Sequence, residues 1–371
     1  LVFGALPRLR RSRRRRDALL LGAGLAIHML IRQYESIFLV MAVALYFLPV
    51  PRRREESPRL LRLAPWIAVA ILPAIVLTLA QNKGVTGSFT TLPEALSVYQ
   101  YGVPSALTFQ PNPVPHRELT PQQAMDYAMQ LSFHGKQTDT PATYLRRVQY
   151  RIRYYRFFFL PPLYIALVVF LAGIREYRFL WVAMTLALFA LGVNFFPAFQ
   201  EHYVAACACL FVLASVAGLE RLSRLTVGGR AAGRQAAAIL LVLSAGYFGL
   251  WYAVHLFENS AVSQALQPYE TWDIINHRNP ERRIFVRDAL DRVPGRLLVF
   301  VRYSPRHRFQ DEWVYNRADI DGARVVWARD LGADEDRTLV DYYRGRTMLL
   351  LEPDAVPPLL SPYAPDANPE Q

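Results

Sequence analysis

The chain has 371 residues, 53% of them hydrophobic, with a net charge of +12 and a mean hydropathy of +0.13. That average is too low for a chain embedded in lipid throughout and too high for an ordinary basic soluble enzyme. Position resolves the mixture: apolar runs end at Phe257, and the last third is rich in Pro, Asp, Glu and Arg, so about two domains are expected.

The positive charge is nearly all arginine, Lys83 and Lys136 being the only lysines. A basic balance of this size fits nucleic acid or a membrane surface. Here the arginines flank apolar runs, which points to membrane lipids and away from nucleic acid. At the start, Leu1–Leu6 reads as the tail of an apolar segment, which predicts a sequence that begins inside a longer protein.

A helix needs about 20 apolar residues to cross about 30 Å of hydrocarbon. Leu63–Gln81, Phe179–Phe199 and Gln235–Phe257 meet that length, and Phe157–Gly173 and Tyr203–Leu219 are slightly short but uncharged. The stretch Ala18–Val50 is either one overlong helix or two short ones. Arg8, Arg10, Arg11 and Arg13 to Arg16 precede it, and Arg52, Arg53, Arg54, Arg59 and Arg62 follow it. Arginine-rich short loops are usually cytoplasmic. Both can be cytoplasmic only if the stretch crosses twice, with Arg32 to Glu35 at the outer tip. The expected fold is therefore a mainly α membrane protein of about seven transmembrane helices, followed by a small soluble α/β domain.

The same parity places Arg175, Arg178 and the Glu220–Arg234 linker inside. It places loop 82–156, Gln200-Glu-His202 and the tail outside. Residues 1–257 form the multispanning domain and 258–371 the soluble extracytoplasmic one. The expected location is the bacterial cytoplasmic membrane, multi-pass. One feature departs from the rule: the outer loop ends in Arg146, Arg147, Arg151, Arg153 and Arg156.

Within that loop, Thr120-Pro-Gln-Gln123 presents an N-cap, a proline at the first helical position and a capping-box glutamine. A helix is predicted from there to about Phe133, ending near Gly135. Thr140-Pro141 starts another, with Tyr144, Val148, Ile152 and Tyr155 at helical spacing, as in an amphipathic helix on the membrane surface. Its arginines either rest on lipid headgroups or hold an anionic substrate such as a lipid-linked phosphate. The guanidinium fork matches phosphate oxygens, so Arg146, Arg147 and Arg151 are candidate substrate ligands.

Arg32, Tyr34 and Glu35 are candidates for a second reason, because ionisable groups at membrane depth are costly and often functional. A plain Arg32–Glu35 pair at spacing three is the competing structural account. Glu201 and His202 occupy a comparable outer turn and join the candidate set. His28, His255, Cys207 and Cys209 read as packing residues. In the tail, a helix from Asn279-Pro280 to about Val293, strands at Leu297–Tyr303, Arg324–Ala328 and Thr347–Glu352, and a helix near Asp334–Arg344 predict a small α/β sheet. Asp319-Ile-Asp321 reads as a turn rather than a metal-binding Asp-x-Asp.

Several stretches resemble a large family of bacterial multispanning proteins similar to GT-C membrane glycosyltransferases, such as protein mannosyltransferases and aminoarabinose transferases. They are Gly4-Ala-Leu-Pro-Arg8, Arg32-Gln-Tyr-Glu-Ser36, Val85-Thr-Gly-Ser88 with Thr91-Leu-Pro93, and His202-Tyr203. In the tail they are Glu312-Trp-Val-Tyr-Asn316, Ala318-Asp-Ile-Asp321 and Val326-Trp-Ala-Arg-Asp330. The sequence departs from the family pattern at Gln33, Ser36 and Glu94. The resemblance implies a transferase drawing on a polyprenyl-phosphate-linked sugar at the outer face. It also implies an acidic catalytic residue in an early outer loop, which no loop before Ala18 supplies, so the base is expected upstream of Leu1. No cofactor is expected, a divalent metal being the one option left open. The alternative is a non-catalytic membrane protein, a transporter or an envelope assembly factor.

Overall fold

The computed structural model describes residues 1–47, 62–175, 177–255, 261, 280–304, 307 and 311–364. Arg52, Arg53, Arg54, Arg59, Phe257, Glu258 and Asn279 lie outside the described residues, as do the side chains of Arg156, Arg178, Glu201 and His255. The described residues hold 13 α-helices and one small sheet. Two compact units emerge: residues 1–118 with 130–271, and residues 119–129 with 272–371.

The first unit is helical. Helix α1 (Val2–Ser12) is amphipathic, with Val2, Ala5, Leu6 and Leu9 buried along one stripe. The sequence reading made these residues the end of an apolar run; in the structure they form a separate helix ending in Arg10 and Arg11. Helices α2 (Arg15–Ile31) and α3 (Gln33–Phe47) divide the long apolar stretch in two. The Arg10 guanidinium lies 5.5 Å from the Tyr46 ring centroid. Because α1 packs along α2, with Gly24 of α2 beside Val2, this contact shows that α3 returns antiparallel to α2.

Helix α4 (Ala64–Thr86) begins with a proline in its first turn and ends at Gly87, whose φ of 77° suits glycine. Arg15 packs over Trp66 at 4.8 Å, so α4 runs parallel to α2. Helices α5 (Pro93–Tyr101), α6 (Pro121–His134) and α7 (Pro141–Arg151) follow, the first part of α6, to Met129, belonging to the second unit. The capping boxes are in place: Thr120 N donates to Gln123 Oε1 at 3.0 Å and Gln123 N to Thr120 Oγ1 at 3.3 Å. Helix α6 stops at Gly135, where φ is +86°. Thr140 and Thr143 cap α7 reciprocally.

Helices α8 (Leu163–Ala172), α9 (Tyr177–Gly192), α10 (Ala208–Ser223) and α11 (Ala232–His255) complete the unit. Helix α8 has 10 residues because Pro161 and Pro162 interrupt the predicted run that began at Phe157. Among the described residues, three helical segments are long and apolar enough to cross a membrane: Ala64–Thr86, His202–Ser223 and Ala232–Ala253. By length and composition they point to a membrane protein; Gln33–Phe47, Leu163–Ala172 and Phe179–Phe195 are shorter apolar helices. Trp181 of α9 donates to the Ala42 carbonyl of α3 at 2.8 Å, near the end of one and the start of the other. Tyr34 donates to Gly192 O at 2.9 Å at their opposite ends. These two helices are therefore antiparallel. Cys207 is fully buried in the helical core, while Cys209 is exposed.

The second unit is a three-layer α/β structure. Strands β1 (Leu297–Val301), β2 (Val325–Arg329), β3 (Thr347–Glu352) and β4 (Leu359–Pro362) lie in the order β2-β1-β3-β4. Strand β1 pairs parallel with both β2 and β3, while β4 is antiparallel to β3. All of Leu-Leu-Val-Phe-Val is buried, as expected of a central strand covered on both faces. Leu297, Val299 and Val301 face Val286 and Leu290 of α12 (Pro280–Asp291). Leu298 and Phe300 face Leu339 and Val340 of α13 (Ala333–Tyr342). The sequence reading lacked β4, whose neighbouring prolines are tolerated only at a sheet edge.

Candidate functional site

The residues singled out by the sequence converge where α2 breaks into α3. Arg32 leaves the helix at φ −143° and ψ 83°. Ser36 holds the break: its hydroxyl donates to Arg32 O at 2.6 Å and lies 2.7 Å from His28 Nδ1, which therefore donates to it. Ser36 thus has a structural role here. Glu35, in the first turn of α3, has a side chain 3% exposed, with Oε1 3.6 Å from Arg32 Nη1. That oxygen has no hydrogen-bond partner. Orphaned buried oxygens are uncommon and call for an account.

Aromatic rings connect this pair to its surroundings. Arg32 lies over the Tyr203 ring at 4.8 Å, and His202 meets Tyr203 edge-on with centroids 4.8 Å apart. Tyr34 stands edge-on to Phe196 at 4.6 Å, and Phe196 lies 5.4 Å from Tyr203. Arg151 lies over Phe199, which is 6.2 Å from Tyr203. Arg32, Tyr34, Glu35, Arg151 and His202 are therefore gathered around one aromatic cluster, although far apart in sequence.

Arg151 and Arg147 use their donors within the protein. Arg151 is 5% exposed and donates to the carbonyls of Val193, Asn194, Phe196 and Pro197, the shortest at 2.6 Å. Burial, with the nearby charge of Arg147, lowers its pKa to about 10, which leaves it cationic at neutral pH. Arg147 makes a two-pronged pair with Asp139 at 2.5 and 2.6 Å, and also donates to Thr108 Oγ1 and Asn194 O. Arg153 stacks on Tyr150 at 3.8 Å. The excess of arginine in loop 82–156 thus has a structural reason, since these three engage groups of the loop and of the segment after α9. Arg146 is exposed and has no hydrogen bond or ion pair among the described residues. Glu201 carries no side-chain description.

Asn194, Asp139 and Thr108 were missed by sequence reasoning. Asn194 is the polar residue in the apolar run Leu186–Phe196, a signal that could have flagged it. It is 1% exposed and donates to Tyr144 O at 3.2 Å while accepting from both arginines. Burial alone would raise the Asp139 carboxyl. Hydrogen bonds from Arg147, Thr108 and Thr143 outweigh it and hold the group below the usual carboxylate range. Its stabilising contribution is complete above about pH 4, the ordinary carboxyl value, and is lost as pH falls from there through the lower folded-state value. Asp139→Asn should remove that acid-sensitive component. Melting curves at acidic and neutral pH check this; an unchanged acid dependence in the variant would show that the pair does not supply it.

Among the described residues, no group of three or more His, Cys, Asp or Glu is placed to hold a metal ion. Asp319 accepts the Gly322 amide at 3.0 Å, and Asp321 accepts the hydroxyls of Tyr342 and Tyr343 at 2.9 and 2.6 Å. Both therefore serve the turn. No protein-family model, curated protein or solved structure matches the chain.

Proposed function

We propose that this chain is part of an integral-membrane glycosyltransferase of the GT-C type, using a polyprenyl-phosphate sugar at the outer face. The observation that carries the reading is Glu35, a buried carboxylate with an orphaned oxygen beside a half-exposed guanidinium at a helix break. With the base that deprotonates the acceptor expected upstream of Leu1, Glu35 Oε1 accepts a substrate hydroxyl and holds it in place, while Arg32 offers donors to the departing phosphate. Arg146, unpaired among the described residues, is a further candidate for the phosphate, and Tyr34 and His202 are candidates for the sugar. Arg147 and Arg151 position the loop rather than touch the substrate.

In this reading the first unit crosses the membrane seven times, by α2, α3, α4, α8, α9, α10 and α11. Arg32, loop 82–156 and the second unit then share the outer compartment. The alternating directions of the packed helices support it, and so does the placement of Arg10, Arg15 and Arg221 at the end opposite to Arg32.

Two measurements test the proposal. Membranes containing the complete protein should transfer radiolabelled sugar from a polyprenyl phosphate, and Glu35→Gln should reduce the rate about 100-fold without lowering thermal stability. Absence of transfer with every lipid-linked sugar tried, or full activity in the variant, overturns it. A reporter fused after Glu258 should be active outside the cytosol.

A further inference from the structure

The second unit carries a cleft of about 420 Å³ between α12, strand β2 and the segment that joins β1 to β2. Its aromatic lining is Trp313, Tyr315 and Trp327, and its charged lining is Arg283, Arg287, Arg317 and Arg324 against a single carboxylate, Asp291. From this we infer that the cleft binds an acidic oligosaccharide, with sugar rings on Tyr315 and Trp327 and carboxylates on Arg287 and Arg317.

The cleft is built rather than incidental. Strand β2 is an edge of the sheet, and the side-chain amide of Asn316 occupies both backbone groups of Trp327. Asn316 Nδ2 donates to Trp327 O at 2.7 Å, and Trp327 N donates to Asn316 Oδ1 at 2.9 Å. This clamp fixes the flanking residues Tyr315 and Arg317. Glu312 braces the same segment, accepting the Val314 amide at 2.8 Å and the Tyr303 hydroxyl. Arg283 is pinned over Trp313 at 4.8 Å and donates to Glu312 O. Arg324 is pinned by the carbonyls of Leu290 and Val293.

Other side chains of the cleft have binding capacity left over. Tyr315 is 79% exposed, which leaves its ring open to a ligand. Arg317 has no hydrogen bond or ion pair among the described residues, and Arg287 pairs only with its neighbour Asp288. Ring faces attract the polarised C–H edges of a sugar, and guanidinium forks fit carboxylates.

Size and charge distribution select the ligand class. A simple anion fills a few water volumes of about 30 Å³ each, whereas small-molecule clefts span about 300–1,000 Å³. Arg324 pairs with Asp291 at 3.3 Å and Arg283 is taken up by Trp313 and Glu312, which leaves Arg287 on α12 and Arg317 on the joining segment as charges from separate elements. Charges spread in this way suit an anionic group on each successive unit better than one compact phosphate cluster. The site lies wholly in the second unit and is independent of the transfer reaction proposed for the first.

Calorimetry on the full chain in neutral-lipid nanodiscs tests the inference, with an oligogalacturonate as probe and its methyl ester as the uncharged control. The acid should bind in a salt-sensitive manner, and the ester about tenfold more weakly or worse. Arg287→Gln with Arg317→Gln, and separately Tyr315→Ala, should each weaken the acid about tenfold while leaving the melting temperature unchanged. Absence of acid binding, equal binding of the ester, or indifference to all three substitutions overturns the assignment. Equally tight binding of inorganic phosphate or of UMP also overturns it, because the cleft would then read charge or a nucleobase and not an acidic sugar chain.

Discussion

Replacing Arg151 by methionine should destabilise the helical unit by roughly 4 kcal/mol or more, among the largest effects expected of a single side chain here. The guanidinium satisfies four backbone carbonyls from Val193 to Pro197 and the Asn194 side chain, those of Val193 and Asn194 fully buried and those of Phe196 and Pro197 partly so. Methionine fills much of the volume but leaves those acceptors bare, and each buried unpaired acceptor costs about 1–3 kcal/mol before relaxation. Lysine keeps the charge but lacks the planar fork, so Arg151→Lys should recover less than half of the loss. Thermal unfolding in detergent, with protease sensitivity of loop 82–156, measures both. A methionine variant as stable and as protected as the parent would show that Arg151 is not the tie between that loop and the segment after α9.

The second large effect is expected at Gly218. A Cβ built there would sit 1.9 Å from the carbonyl oxygen of Ala166, so the backbones of α8 and α10 touch directly. Close approach of this kind is the main use of small residues between helices in lipid, where dispersion contacts replace the hydrophobic drive. Gly218→Ala must push the helices apart, at about 1–3 kcal/mol, and Gly218→Leu should prevent the pair from forming. Arg221 adds to the contact by donating to Gly173 O at 2.8 Å, three residues further along the same interface. Cross-linking of cysteines introduced across α8 and α10 reports the separation directly. Undiminished cross-linking in the leucine variant would contradict the packing described.

Both predictions concern scaffolding, and both bear on the proposed chemistry. If Arg151 and Arg147 hold the outer loop in place, their loss should impair transfer through unfolding, visible as a parallel fall in stability. Loss of Glu35 should impair transfer alone. That contrast separates the acidic residue of the helix break from the arginines that surround it.

The linear sequence determined the elements whose causes are local. Proline, threonine and glutamine placed the ends of α6 and α7, because capping joins groups within one turn. Arginine borders called for a hairpin at Arg32, and α3 does return along α2. The uninterrupted apolar run Leu297–Val301 marked a central strand, and Asp319–Asp321 proved to be a turn. Tertiary structure decided everything that depends on groups distant in the chain. Arg146, Arg147 and Arg151 look alike in sequence, yet one is exposed, one pairs with Asp139 and one is buried among carbonyls more than 40 positions away. Glu35 looks like half of a surface ion pair, yet in the fold its side chain is 3% exposed and one oxygen has no hydrogen-bond partner. The arginine cleft of the second unit exists because Asn316 clamps an edge strand 11 residues further on. Local propensity and capping act over a few residues, whereas desolvation is a property of the whole packed surface, and for that reason only folding could sort the alike residues into different roles.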